Sequence, residues 1–318
     1  MTKKINRRTF ISKSSKIALS AFVGGSVLPY LSLGTLREAQ ASKQADISVV
    51  TGENYFNNTL KAVELLGGMN KFVTKDSKVG LLINSSFQKP GTYVLPEVSL
   101  AVVKMCFSAG AKDLVLLNKS SSQEYWSRSS LSKEYQDEIK SLQSAGQDFA
   151  KIKIPQGKKL QEAQLVKAFM ECDIFINMPK TKNHAGTNFT GTMKNMMGVT
   201  SQETNGFFHF GASETKTKDF YGDVQFLSQC ITDVNLIRKP DLCIADATEL
   251  ITTNGPFGPG EIIKPRQVIA GVDRITVDAY CSTLLDLNPT DVIMLRQGNQ
   301  SGLGEINLKK VKIEKVTL

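Results

Sequence analysis

Nothing in this chain pairs its cysteines. Cys106, Cys172, Cys230, Cys243 and Cys281 are widely spread and form no C-x-x-C spacing, and an odd number cannot complete an intrachain disulfide framework. A zinc ribbon and a ferredoxin-type iron–sulfur cluster are therefore not expected. Each cysteine sits in an apolar context, as in VVKMCFSAG or DLCIAD, where small reduced core residues belong. Histidine is scarcer still, with His184 and His209 alone. No G-x-S-x-G occurs, so the nucleophile elbow of a serine hydrolase is missing, and G-x-G-x-x-G and P-loop patterns are missing too. Internal repeats and low-complexity domains are also lacking.

What is present begins with a leader. MTKKINRRTFISKSSK is basic, residues 17–36 carry no charge, and Ala39-Gln40-Ala41 offers a small-residue cleavage site. Arg7-Arg8, followed by an apolar stretch that Gly24, Gly25 and Pro29 interrupt, points to a twin-arginine signal. Residues 1–41 thus read as a signal peptide recognised by the twin-arginine export machinery, which carries folded proteins. The working place is then periplasmic or otherwise extracytoplasmic. The alternative is an uncleaved leader that anchors the chain, since about 20 uncharged residues can span a bilayer; after cleavage no stable membrane span is expected. The leader holds seven of the 39 basic and one of the 30 acidic residues, so the remainder carries 32 and 29, a net of +3. The high basicity belongs to targeting, and a nucleic-acid partner is not expected.

Residues 42–75 read as an N-terminal extension packing on one α/β domain over 76–318. KVGLLIN (78–84), DLVLLN (113–118), AKIKIP (150–155), IFINMP (174–179), DLCIAD (241–246) and RQVIAG (266–271) read as strands, AKIKIP nearer an edge. KKVKIEKV (309–316) alternates as a half-exposed edge strand. Helices are expected over 96–111, 133–146, 159–173, 224–237 and 274–286. Continuous apolar strands joined by helices imply an α/β fold with a mainly parallel sheet and helices on both faces, with room for a smaller α+β subdomain.

Ligands bind beyond the carboxyl ends of such strands, which here are Asn84, Asn118, Asn177 and Asp246. The loop after Asn177 carries Lys180, Lys182, His184 and Lys194, with no carboxylate between Asp173 and Glu203. HAGTN is expected to start a helix, capped by Thr187 or Asn188 and ending at Gly198, whose amino end would favour an anion. Asp246, with Glu249, opens a second group that runs into the rigid loop NGPFGPG, Asn254 to Gly260. Asp246 could balance a lysine, bind a metal, act as a base, or cap the turn that follows it. Two histidines with Asp246 or Glu249 could supply an open metal site, though their spacing does not demand one. Asp273 reads as a helix N-cap.

DIFINMPKTKNH (173–184), GTMKNMMG (191–198), His209, IADATELITTNGPFGPG (244–260) and GVDRITVDAYCSTLLDL (271–287) follow the order and spacing of one family. The chain resembles the domain of unknown function 362 family over roughly residues 76 to 305. LPEVSLAVVKMCFSAGA (95–111) is similar to that family's early helix. By position the resemblance implies roles for Lys180, Lys182, His184, Lys194, Asn195, His209, Asp246, Asn254 and Gly255. Ferredoxin-like cysteine motifs accompany some members; this chain lacks them, so no iron–sulfur cluster is carried over. It also has Lys182-Asn183-His184 where the family has Lys-Thr-His, and Tyr93-Val94-Leu95 where a threonine with a histidine or aspartate often stands.

The expectation is a cleft for a small anionic ligand. Lys180, Lys182, Lys194, Asn195, Asn254 and Gly255 would bind the anion, and His184, Lys182 and Asp246 would do chemistry if the protein is an enzyme acting on a small anionic metabolite. The alternatives are a non-catalytic anion- or cofactor-binding accessory protein, and a metal-dependent redox accessory protein using His184, His209 and Asp246.

Overall fold

The computed structural model describes residues 45–118, 123–211 and 223–318, so the leader lies outside the described residues. In chain order the strands are β1 (Ile47–Thr51), β2 (Lys78–Ile83), β3 (Asp113–Leu116), β4 (Gln143–Ser144), β5 (Phe149–Lys153), β6 (Glu162–Val166) and β7 (Ile174–Met178). After them come β8 (Lys182–His184), β9 (Asn188–Thr190), β10 (Leu242–Ala247), β11 (Leu250–Ile251), β12 (Ile262–Ile263), β13 (Gln267–Gly271) and β14 (Ile313–Thr317). The helices are α1 (Tyr55–Leu65), α2 (Pro96–Ser108), α3 (Gln123–Ser127), α4 (Gln136–Ser141) and α5 (Lys167–Glu171). The second half adds α6 (Thr192–Asn195), α7 (Gln202–Phe210), α8 (Val224–Asn235), α9 (Arg274–Thr283) and α10 (Ile293–Gln300).

An eight-stranded sheet in the order β14-β1-β13-β10-β7-β2-β3-β4 organises the molecule. Every neighbouring pair is parallel except those that β13 makes with β1 and β10. The reversal has a local cause. Between β10 and β13 the chain holds glycines, prolines and the small β11–β12 ribbon but no helix, so it re-enters the sheet from the end where it left. The sheet is mainly parallel, with helices on both faces.

Side chains alternate across each buried strand. On β2, Val79, Leu81 and Ile83 join Val63, Val98 and Val102 of α1 and α2. Leu82 turns the other way, into a cluster with Met196, Ile231 and Val277. On β10, Leu242 and Ile244 serve the first face, and Cys243, Ala245 and Ala247 the second. Helix starts carry their own caps. Asp223 accepts from the N–H groups of Gln225 and Phe226, and Asp273 from those of Ile275 and Thr276. Asp273 thus takes the capping role that its place in the sequence suggests.

Strand order places the crevice. From β2 the chain adds β3 and then β4 to one side, whereas β7, β10 and β13 build out on the other. The winding reverses between β2 and β7, which stay paired through Ile83 and Met178, so the segments that leave their carboxyl ends go opposite ways and leave room for a ligand.

Several elements differ from expectation. Residues 47–51 form an inner strand, paired with β13 and β14, so the segment before residue 76 is built into the sheet. The helix expected over 159–173 is split: Glu162–Val166 pairs antiparallel with β5, and only Lys167–Glu171 is helical. AKIKIP is therefore half of a separate two-stranded ribbon and not an edge of the main sheet. The helix expected over 133–146 shrinks to Gln136–Ser141, because the chain then turns to add β4 beside β3. None of the helices among the described residues is long and apolar enough to cross a membrane.

Candidate functional site

A cavity of about 720 Å³ opens at the crevice. Its wall takes Asn84 from the end of β2, Asn118 from the end of β3, and Lys182, His184, Thr190 and Lys194 from the segment after β7. His209, on α7, also lines it, as do Pro256 and Phe257 of the NGPFGPG loop. No Asp or Glu does so among the described residues.

The segment that delivers the lysines is a hairpin, β8 paired antiparallel with β9, and not the amino end of a helix. His184 makes the turn possible. Its Nδ1 accepts the backbone N–H of Gly186 at 3.0 Å and of Thr187 at 3.2 Å, and Asn188 takes the left-handed conformation (φ 61°) that asparagine tolerates. The helix begins later, at Thr192, and its first N–H groups are already satisfied. Buried Asp278 on α9 accepts from Thr192 N at 2.6 Å and Met193 N at 2.9 Å. Burial raises the pKa of that carboxyl to about 7. The helix end foreseen as an anion site is thus held by the protein's own carboxylate. Gly191, just before it, has no room for a Cβ, which would run into Asp278 and Phe189.

Lys180 is fully buried and donates to Asp246 Oδ1 at 2.9 Å. The same oxygen accepts from Thr248 N and Oγ1 at 2.9 and 2.7 Å, and Oδ2 accepts from Leu95 N at 2.7 Å. Asp246 thereby ties the loop after β7 to the start of α2. Lys180 and Asp246 form a brace and do not line the cavity.

Lys182 is just as buried but has no such partner. Its Nζ donates to the Thr92 carbonyl and lies 3.8 Å from the centre of the Phe87 ring. Loss of water, then the charges of Lys194 and Lys180, hold its pKa well below the ordinary lysine value. Lys194 is half-buried, touches the Met197 thioether at 3.4 Å, and is brought down to about 8 by removal from water. Neither amine pairs with a carboxylate among the described residues.

His184 is neutral. Burial, with the charges of Lys194 and Lys182, lowers its pKa to about 2. With two N–H groups donating to Nδ1, the ring proton is assigned to Nε2, which makes the imidazole a donor and not a base near neutral pH. Thr190, paired with Lys182 across the hairpin, places in the cavity wall a buried Oγ1 that has no hydrogen-bond partner among the described residues. Asn195 works as a bracket, donating to the Leu82 carbonyl at 3.0 Å and to Asn177 Oδ1 at 2.7 Å. Asn177 in turn donates to the Thr192 carbonyl.

Asn254 and Gly255 act at one remove. Asn254 bonds the Pro259 carbonyl within its own loop, and Gly255 N donates to Asn183 Oδ1 while its carbonyl accepts from Ala185 N. A Cβ on Gly255 would collide with the Asn183 carbonyl, so only glycine lets the loop lie against β8. That contact carries Pro256 and Phe257 to the cavity. Thr190, Phe87 and Phe257 escaped sequence reasoning. Three-residue strands show no periodicity, and only proximity to Lys182 or to the cavity makes these side chains informative.

No group of three or more His, Cys, Asp or Glu side chains suited to a metal occurs among the described residues. Asp246 is engaged by Lys180, Thr248 and Leu95, which leaves it poorly placed to join His184 and His209 on a metal. The five cysteines are buried free thiols, and burial raises their pKa values.

The family described as Domain of unknown function (DUF362) matches residues 79–283, well over half of the chain. The chain belongs to the DUF362 family. The matched span runs from β2 to the end of α9 and so includes the cavity lysines, the Lys180–Asp246 brace and Asp278. The DUF362 protein is also 25% identical over 274 residues to the thylakoid-associated protein sll1697 of Synechocystis, across 81% of this chain and 79% of that one. Among solved structures, the lactate racemase apoprotein of Thermoanaerobacterium thermosaccharolyticum aligns at TM-score 0.42 and 12% identity, over 76% of this chain and 57% of that one. A Thermotoga maritima protein aligns at TM-score 0.37 and 13% identity, over 77% and 58%. This chain spans less than two thirds of either, and neither likeness bears on activity.

Proposed function

We propose that this DUF362 protein binds a small anion in the cavity beyond the carboxyl ends of β2 and β7, with Lys182 and Lys194 as its counter-charges. One observation carries the reading: two amines, one buried and one half-buried, meet in a cavity wall that has no carboxylate among the described residues. Like charges held together out of water are unfavourable, and a bound anion removes both penalties. Thr190 Oγ1, unpartnered among the described residues, adds a hydrogen-bonding group for a carboxylate, phosphate or sulfate in the same wall. Lys194, whose pKa burial brings down to about 8, is suited to move a proton if chemistry follows binding. Lys180 and Asp246 hold the frame.

The sign of the proton linkage makes the test specific. An anion favours the ammonium form, so binding raises the depressed pKa values and draws protons from solution. Affinity is then greatest below about pH 8 and falls as pH rises through the free Lys194 value. Sulfate is the suitable probe because it does not titrate in this range. Isothermal titration in two buffers of different ionisation enthalpy is expected to show net proton uptake with wild type and a loss of binding of about tenfold or more in Lys194→Met. No heat with sulfate, phosphate or acetate, and no change in melting temperature, would refute the anion site.

The same proposal has the protein working outside the cytoplasmic membrane after export in the folded state. Arg7-Arg8 and the Ala39-Gln40-Ala41 site support it. N-terminal sequencing of protein recovered from the extracytoplasmic fraction is expected to begin at Ser42. An intact Met1 end there would disprove cleavage.

A further inference from the structure

The cavity is far larger than an inorganic anion needs, and its lining mixes charge with apolar surface. Lys182, Lys194 and Thr190 share it with Phe87, Phe149, Val166, Met197 and Phe257, and Lys182 lies directly against Phe87. A volume of about 720 Å³ falls within the range of sites that enclose whole organic ligands.

Phe257 is the most informative of these. Its side chain is 53% exposed, although it belongs to a loop pinned to β8 through Gly255 and Asn183. Its ring meets Phe87 edge-on, with centroids 5.5 Å apart and planes at 74°. One face of Phe87 is covered by Lys182 Nζ. The pair therefore forms a corner in the cavity wall, with the Lys182 amine against one of its two rings. Isolated exposed apolar residues are ordinary. An exposed ring fixed by backbone contacts at the mouth of a cavity, locked to a second ring that stacks on a binding lysine, is a surface with a shape to fill.

We infer that the ligand is an anion carrying a flat aromatic ring, an aryl phosphate or aryl carboxylate, with its charged group at Lys182, Lys194 and Thr190 and its ring against Phe257 and Phe87. This rests on the anion reading above and narrows it to a substrate class. Aromatic pairs prefer the edge-to-face and offset arrangements that such a corner presents. Lys182 links the two parts, since its amine lies 3.8 Å from the centre of the Phe87 ring and its strand pairs it with Thr190.

The experiment compares pairs of equal charge on purified protein by isothermal titration: methyl phosphate with phenyl phosphate, and acetate with benzoate. The aryl member of at least one pair is expected to bind about tenfold more tightly. Which pair shows it distinguishes a phosphate from a carboxylate head. Phe257→Ala changes a half-exposed side chain, so the fold is retained, as an unchanged melting temperature without ligand would show. In that variant the aryl preference is expected to fall to within about twofold while methyl phosphate or acetate binds as to wild type. Equal binding within both pairs overturns the ring subsite and leaves the anion site standing. Cyclohexyl phosphate binding as tightly as phenyl phosphate overturns it as well, and so does an aryl preference that survives Phe257→Ala. If no compound of either pair binds, the anion reading falls and this inference with it.

Discussion

Asp246→Ala is expected to lower the free energy of unfolding by about 3–5 kcal/mol, enough to unfold a marginal domain. The carboxylate is fully buried and receives Lys180, Thr248 twice, and the Leu95 N–H at the head of α2. Removing it strands a buried ammonium, since among the described residues no other carboxylate pairs with Lys180. It also leaves the start of α2 without an acceptor, because Leu95 has no side chain able to cap. The unpaired charge accounts for most of the loss. A second change, Lys180→Met, should therefore recover much of it, giving a strong coupling between the two positions in a double-mutant cycle. Urea unfolding of the four proteins, with midpoints compared at constant slope, measures this. A loss below about 1 kcal/mol for Asp246→Ala, or no recovery in the double variant, would show that the pair is not the brace described here.

Lys182→Met is expected to act in the opposite direction. Methionine matches the lysine stem in length, fills the same space against Phe87 and carries no charge to bury. The unliganded variant should gain about 1–3 kcal/mol near neutral pH while losing its response to sulfate. The pH dependence follows from the direction of the shift. The folded pKa of Lys182 lies below its unfolded value of 10.5, so between the two the unfolded chain binds more protons, and wild-type stability climbs as pH rises. The variant lacks that climb. Its advantage should be larger at low pH and shrink as pH rises towards the unfolded value of 10.5. A variant less stable than wild type, or an advantage that does not change with pH, would mean that the Lys182 charge is compensated within the fold and has no need of an anion. Such a trade of stability for an uncompensated charge is common where a binding site is built.

Much of the frame could be read without coordinates. Six of the core segments, KVGLLIN, DLVLLN, IFINMP, DLCIAD, RQVIAG and the helix from Pro96, are buried on nearly every side, and their composition reports that directly. Cavity residues were legible for a narrower reason. Lys182, His184 and Lys194 stand out because the stretch from Asp173 to Glu203 holds no acid, and a lack of counter-charge survives whatever the chain does locally. Lys180 looked the same in that stretch. Its partner is 66 residues away on β10. Asn195, read as a ligand contact, lines the cavity and is also bonded to Leu82 and Asn177.

The sequence by itself determined an α/β protein with a mainly parallel sheet, a basic segment at the exit of β7, and cysteines in no C-x-x-C spacing. Those follow from hydrophobic periodicity and from residues that are simply not there. Tertiary structure alone decided which lysine is neutralised, which helix end is already capped, and which phenylalanines stand at the cavity. Asp246 reaches Lys180, Asp278 reaches the head of α6, and Phe257 reaches Phe87, each across a wide gap in the chain. Partner choice among buried polar groups depends on which backbones the sheet order brings side by side, and a local window of residues carries no record of that. The hairpin at Lys182–Thr190 belongs to the same class. It depends on a neutral His184 accepting two backbone N–H groups, and the histidine is neutral because burial and two nearby ammonium groups make it so.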